Sequence, residues 1–62
     1  MRERTLAQYL ICRWVRENHT GAEMELVNDY TVKMTEGGTS QMLSVNMYGD
    51  ILDLSTRDIL GR

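Results

Sequence analysis

The residues able to perform acid–base or nucleophilic chemistry are few and far apart. Cys12 is the only cysteine and His19 the only histidine among 62 residues. If both lie on one helix, their spacing corresponds to roughly 10 Å along its axis, too far for one to activate the other. A lone cysteine also closes no intrachain disulfide, and one cysteine with one histidine falls short of a zinc site. We therefore predict a non-enzymatic chain with no metal and no cofactor.

Two other short patterns are typical of turns rather than of sites. Asp50 and Asp53 could suggest a cation site, but the further oxygen ligands and the later glutamate of a calcium loop are missing. The glycines at Gly37, Gly38 and Gly49 are not followed by the lysine and helix start of a phosphate loop. We interpret the acidic pair as a turn residue and an outward-facing strand residue, and the glycines as turn residues.

A basic stripe is the first feature that indicates binding. If the first helix extends back to Arg2, then Arg2, Tyr9, Arg13 and Arg16 project within about 60° at 100° per residue. Such a stripe could grip phosphates and stack a base, could contact a protein, or could be a solvated face in which Arg13 pairs with Glu17. Nucleic acid is the disfavoured alternative, because the chain has a net charge of −2 and a pI near 5.2.

The element that carries this stripe is predicted to be a helix from Thr5 to His19. The helix should end near Thr20, where Gly21 can adopt the left-handed position and His19 can face the negative end of the helix dipole. Its apolar residues recur with helical spacing and fill one half of its circumference; they are Leu6, Ala7, Leu10, Ile11, Trp14 and Val15.

Beyond Gly21 the hydrophobic period becomes two, which predicts an antiparallel meander. A strand from Glu23 should lead through a three-residue loop of Val27, Asn28 and Asp29 into a strand carrying Tyr30, Val32 and Met34 on one face. This loop would pair Leu26 with Tyr30. The pair Gly37–Gly38 permits the positive φ values of a two-residue hairpin turn, which would pair Val32 with Leu43.

The second half of the meander is predicted from Gly49–Asp50, taken as another two-residue turn. This turn would pair Tyr48 with Ile51 and Val45 with Leu54, so that Leu52 and Leu54 join the core while Ile51 lies outside. Ser55 would then cap a closing helical turn that reaches Leu60. The expected centre of the core comprises Leu10, Trp14, Val32, Leu43, Val45 and Leu54.

The outer face of this sheet supplies a second candidate surface. Met42, Tyr48 and Ile51 would form an apolar patch on an otherwise polar face, and such patches often mark protein contacts. The alternative is ordinary half-exposed strand residues that cover one another. The order of elements resembles in outline that of double-stranded RNA-binding domains, but their basic last helix and histidine-bearing strand loop have no counterpart here, so no function follows from it.

Together these patterns predict one small α+β domain over residues 1–62. We expect two layers, with a long N-terminal helix packed on a three- to four-stranded antiparallel meander and a short C-terminal helical turn. No apolar run approaches the ~18 residues of a membrane span, and the first five residues do not resemble a signal peptide, so a cytoplasmic location and no membrane partner are expected. The function we predict is a small protein-interaction or regulatory module that forms homo-oligomers, because so short a chain has little core of its own.

Overall fold

The computed structural model describes residues 2–61 and confirms the N-terminal helix. Helix α1 spans Leu6–Asn18, and the Thr5 hydroxyl caps it by accepting the Gln8 backbone N–H at 3.1 Å. His19 ends the helix, and its backbone N–H donates to the Val15 carbonyl at 2.7 Å. Gly21 follows with φ of +90°, the left-handed conformation expected after a helix.

Within residues 2–61, the segment after the helix forms one antiparallel sheet in which every strand pairs with its sequence neighbour. The α+β prediction is therefore confirmed, but the sheet has five strands in the described part of the chain rather than three or four. The strands are β1 Glu23–Asn28, β2 Thr31–Glu36, β3 Thr39–Val45, β4 Ile51–Asp53 and β5 Ile59–Gly61.

The first two hairpins keep the predicted faces except at Tyr30. Gly37 and Gly38 both have positive φ, and Val32 pairs with Leu43 as predicted. In the first hairpin Leu26 pairs with Val32, two positions from the predicted partner, and the ladder is irregular between Leu26 and Asn28. A shift of two residues leaves Met24 and Leu26 on the inner face. Tyr30, predicted within the second strand, instead precedes β2 and is exposed.

The third hairpin has a different register from the predicted one. Val45 pairs with Ile51 instead of Leu54, a shift of three positions, and an odd shift exchanges the two faces of a strand. The cause is a longer loop organised by Asn46, whose Oδ1 accepts the backbone N–H groups of Tyr48 at 2.9 Å and Asp50 at 3.0 Å. Ile51 is consequently buried, whereas Leu54 is exposed.

The predicted C-terminal helical turn is wrong, because the chain returns to the sheet as β5. Asp53 turns the chain, since its Oδ1 accepts the backbone N–H groups of Ser55 at 2.8 Å and Thr56 at 3.3 Å. The end of β5 meets the helix at Trp14, where a Cβ placed on Gly61 would overlap the indole. Glycine is thus the residue that lets this ring lie against the last strand.

The core lies between α1 and the inner face of the sheet, but the helix buries a different face from the predicted one. Its buried residues are Gln8, Ile11, Cys12 and Val15. At 100° per residue their mean direction is about 100° away from that of the apolar half of the helix. Leu10 and Trp14, predicted at the centre, are only half-buried. The sheet contributes Val32, Met34, Leu43 and Ile51.

Candidate interaction surfaces

The residues considered for catalysis are held apart in structural roles. Cys12 is fully buried in the core, and burial raises the pKa of its thiol. His19 Nδ1 lies 3.0 Å from Glu36 Oε1 at the far end of the helix. Asp53 points inward and accepts from the Gln41 side chain at 2.9 Å, which contradicts its predicted outward position. Within residues 2–61, no three His, Cys, Asp or Glu side chains are grouped to hold a metal ion.

The basic stripe does not form as predicted, because α1 begins at Leu6 and so leaves Arg2 off the helix. Arg16 donates to Glu3 Oε1 at 2.7 Å, and Arg13 lies 3.5 Å from Glu17. The charges of both helix arginines are therefore balanced by carboxylates, which lower the local positive potential. The Arg16 hydrogen bond also holds the pKa of Glu3 below its ordinary value.

Tyr9 remains on the exposed helix face, where the Arg13 guanidinium carbon lies 6.0 Å from the ring centroid. That distance is at the limit of a cation–π contact. The ring thus packs beside a paired arginine rather than beside a row of free cations, and the helix face offers a weak footprint for phosphates. Nucleic-acid binding gains no support from this arrangement.

The predicted patch of Met42, Tyr48 and Ile51 is not assembled. Ile51 is 2% exposed in the core, and Tyr48 lies in the loop between β3 and β4 rather than opposite Ile51. Met42 remains on the outer face, since it alternates with the buried Leu43. The shifted register of the third hairpin is the reason that these three residues separate.

The same register places a different apolar set on the outer face, which we call the outer-face patch. It comprises Met42, Leu52, Leu54 and Ile59. Leu52 pairs with Ile59 across β4 and β5, and the Leu54 backbone N–H donates to the Met42 carbonyl at 2.9 Å. Ile59 and Leu54 are exposed, whereas Met42 and Leu52 are half-buried. Met42, Leu52 and Ile59 lie on three adjacent strands, and Leu54 directly follows β4. The four residues are therefore neighbours and form one continuous patch.

A second apolar surface lies on the opposite side of the sheet, beside the helix; we call it the helix-side groove. Its volume is about 390 Å³, and it lies between the first half of α1, the start of β2 and the loop after β3. Leu6, Tyr30 and Met47 line it and are 72%, 69% and 89% exposed. Ala7, Leu10, Val45, Asn46 and Gly49 complete the lining, which contains no charged residue.

Sequence reasoning missed this groove because it placed Tyr30 on the core face and continued the third strand through Tyr48, so that Met47, by alternation, would also face the core. The alternation of apolar and polar residues places Tyr30 and Met47 on the same face as the buried residues of their strands. The missed signal is Asn46 with Gly49 three positions later, a pattern typical of a side-chain-capped loop rather than of a two-residue turn. With that loop in place, Met47 leaves the ladder and its side chain is released to the surface.

Comparisons with protein-family models, with curated proteins and with solved structures give no significant match for this chain. Within residues 2–61, the single helix is too short and too polar to cross a bilayer. The features of the described residues that bear on function are the two apolar surfaces and the charges around them.

Proposed function

We propose that this chain is a non-enzymatic protein-interaction module that forms a homodimer through the helix-side groove. The observation that supports this function is the grouping of Leu6, Tyr30 and Met47 around one neutral groove, each more than two-thirds exposed. Single exposed apolar residues are ordinary on small proteins, but grouped ones favour association because water is removed from all of them at once.

A second copy fits the groove better than a charged partner does. In a twofold contact each surface meets itself, so a surface of one charge sign repels its copy, while a neutral one does not. The groove also combines a cavity of about 390 Å³ with Met47, whose side chain is nearly free. Methionine is unbranched and adapts to irregular cavities, so Met47 of one copy can enter the groove of the other.

The size of the chain makes such a contact valuable to its stability. A standard interface buries about 800 Å² on each partner, which is close to a fifth of the 4392 Å² that this chain exposes. Mass action then stabilises the folded state as the concentration rises above the dimer dissociation constant. The half-exposed Leu10 and Val45 would become fully buried in the same contact.

The test is sedimentation velocity and thermal unfolding from about 5 µM to 1 mM. We expect the sedimentation coefficient and the melting temperature to rise with concentration for the parent chain. Leu6→Glu combined with Met47→Glu should remove both dependences, because like charges would then face each other across the twofold contact. The circular dichroism spectrum of the monomer should stay unchanged.

Ile59→Glu is the matched control, since it adds a charge at an exposed apolar residue of the outer-face patch. It should dimerise like the parent. A monomer at every concentration would contradict the proposal, and so would a dimer that Ile59→Glu dissociates and the groove variant does not. The latter result would assign the interface to the outer face.

A further inference from the structure

The N-terminal segment ahead of α1 is fastened to the rest of the fold at two points. The Glu3 carboxylate accepts from Arg16 on the helix at 2.7 Å, and the Arg4 backbone N–H donates to Gln8 Oε1 at 2.7 Å. With Glu3 turned toward Arg16, the flanking Arg2 and Arg4 line a cleft against the end of β1. The contacts of the Arg4 backbone and of the Glu3 carboxylate thus hold Arg2 and Arg4 beside the same cleft.

The cleft has a volume of about 470 Å³ and is lined by Arg2, Arg4, Gln8 and the segment from Leu26 to Asp29. The polar groups at the base of the cleft are hydrogen-bonded to one another. Gln8 Nε2 donates to the Asn28 carbonyl at 2.8 Å, and the Thr5 hydroxyl donates to the Asp29 carbonyl at 2.6 Å. The base of the cleft is therefore a fixed hydrogen-bonded frame rather than a loose loop.

Arg2 and Arg4 are the arginines near this cleft that have no counterion within the described residues 2–61. Arg16 and Arg13 are matched by Glu3 and Glu17, but within residues 2–61 no carboxylate lies within ion-pair distance of the Arg2 or Arg4 guanidinium. Asp29 lines the same cleft, so the formal charge of the lining is one positive unit. Guanidinium groups form paired N–H hydrogen bonds with planar oxyanions, which makes a carboxylate a fitting ligand.

We propose that this cleft binds a carboxylate that carries an apolar body, either as a small organic acid or as an acidic side chain of a peptide. The single excess positive charge matches one carboxylate and would be exceeded by a phosphate dianion. Leu26 and Val27 offer apolar wall next to the arginines, and the volume lies in the range of sites that enclose a small ligand rather than a bare ion.

The site is independent of dimerisation, because the cleft and the helix-side groove share no residue. Neither result depends on the other: a chain that stays monomeric can still bind the ligand. Monomer and dimer should therefore bind the carboxylate equally well.

The test is a titration followed by ¹H–¹⁵N NMR at low salt, with three probes. These are hexanoate, an acetylated and amidated Leu-Glu-Leu tripeptide, and inorganic phosphate. We expect hexanoate or the tripeptide to bind with a dissociation constant on the order of 1 mM. The shifts should centre on the Gln8 side-chain amide and on the backbone amides of Val27 and Asn28. The stronger of the two carboxylates identifies the source of the ligand.

Arg2→Gln combined with Arg4→Gln should weaken carboxylate binding at least tenfold, and Arg2→Lys with Arg4→Lys should weaken it by a smaller factor, since charge stays but the paired hydrogen bonds are lost. The matched control is Arg13→Gln, an exposed arginine outside the cleft, which should bind like the parent. Binding of phosphate as tight as that of the carboxylates would overturn the inference. So would an absence of shifts at 20 mM of both carboxylates, or equal binding by the parent and the double glutamine variant.

Discussion

The register of the third hairpin can be tested by substituting alanine for Ile51 and for Leu54. The sequence predicts that Leu54 is buried and Ile51 exposed, whereas the structure shows the reverse. Ile51 is 2% exposed between the sheet and the helix, whereas Leu54 is 45% exposed on the outer face. Ile51→Ala should therefore cost about 2–5 kcal/mol, the range for a large aliphatic residue shortened in a core. Leu54→Ala should cost less than about 1 kcal/mol, because little buried volume is lost.

The size of the chain makes this difference easy to measure. Sixty-two residues correspond to a total unfolding free energy of about 3–9 kcal/mol, so Ile51→Ala removes a large share of it. Ile51→Val, with an expected cost of about 0.5–1.5 kcal/mol, provides a variant that stays folded. In a domain of this size each kcal/mol lowers the melting temperature by about 4–8 °C.

Urea unfolding followed by the fluorescence of the single tryptophan, Trp14, gives the free energies directly. The three variants and the parent are measured at one concentration, since a dimer would add a concentration term. Slopes equal to that of the parent show that only stability has changed. If Leu54→Ala proves more destabilising than Ile51→Ala, the two-residue turn at Gly49 is correct and the inner and outer faces of β4 must be exchanged.

Two further predictions concern the end of the chain. Gly61→Ala should lower the free energy of unfolding by about 1–3 kcal/mol and shift the emission of Trp14, because the added methyl overlaps the indole; unchanged emission and stability would show that the ring does not lie on β5. Hydrogen bonds from Gln41 and from the Ser55 backbone N–H hold the pKa of Asp53 below its ordinary value. Its stabilising contribution is therefore complete above the unfolded pKa of about 3.9 and is lost as pH falls through the lowered folded value. Asp53→Asn should then lose less melting temperature than the parent between pH 7 and pH 2.5, and equal losses would contradict this role.

The elements set by local chemistry were predictable from the sequence. Thr5 and Gly21 mark the ends of the helix, since a hydroxyl caps the first turn and glycine accepts the left-handed conformation. Gly37 and Gly38 fix the second hairpin, because adjacent positive φ values leave one turn geometry open. In each case a few neighbouring residues determine the backbone, and no distant contact is needed.

The positions of β4 and β5 were not predictable from the alternation of apolar and polar residues, because side chains in the loops before them determine where each strand begins. Asn46 and Asp53 each bind two backbone N–H groups, and these contacts decide where β4 begins and how the chain reaches β5. A single hydrogen bond of this kind is worth about 1 kcal/mol. It nevertheless changes the register by an odd number of residues and so reverses which side chains are buried.

Whether a candidate surface residue was placed correctly also depends on whether a glycine turn or a loop side chain fixes its strand. Met42 was correctly placed on the outer face, because it belongs to a strand whose register a glycine turn fixes. Ile51 and Tyr48 were placed wrongly, because Tyr48 lies within the loop organised by Asn46 and Ile51 directly follows it. The prediction of the basic stripe failed at Arg2 for a different reason, because it assumed four more helical residues, Arg2 to Thr5, than the helix contains. Arg4 was overlooked because it lies outside the projected arc.

Polar contacts at one end of the helix explain why apolar side chains are left outside. The Thr5 hydroxyl and the Gln8 amide both bind carbonyls of the turn between β1 and β2, which fixes the rotation of α1 above the sheet. Gln8 is 3% exposed, so releasing it would leave a buried amide unpaired at a cost of about 1–3 kcal/mol. Rotating the helix to bury Leu6 would break this contact. The exposed edge of the helix is therefore built into the fold, and an occupant of the helix-side groove can bury Leu6 without disturbing Gln8.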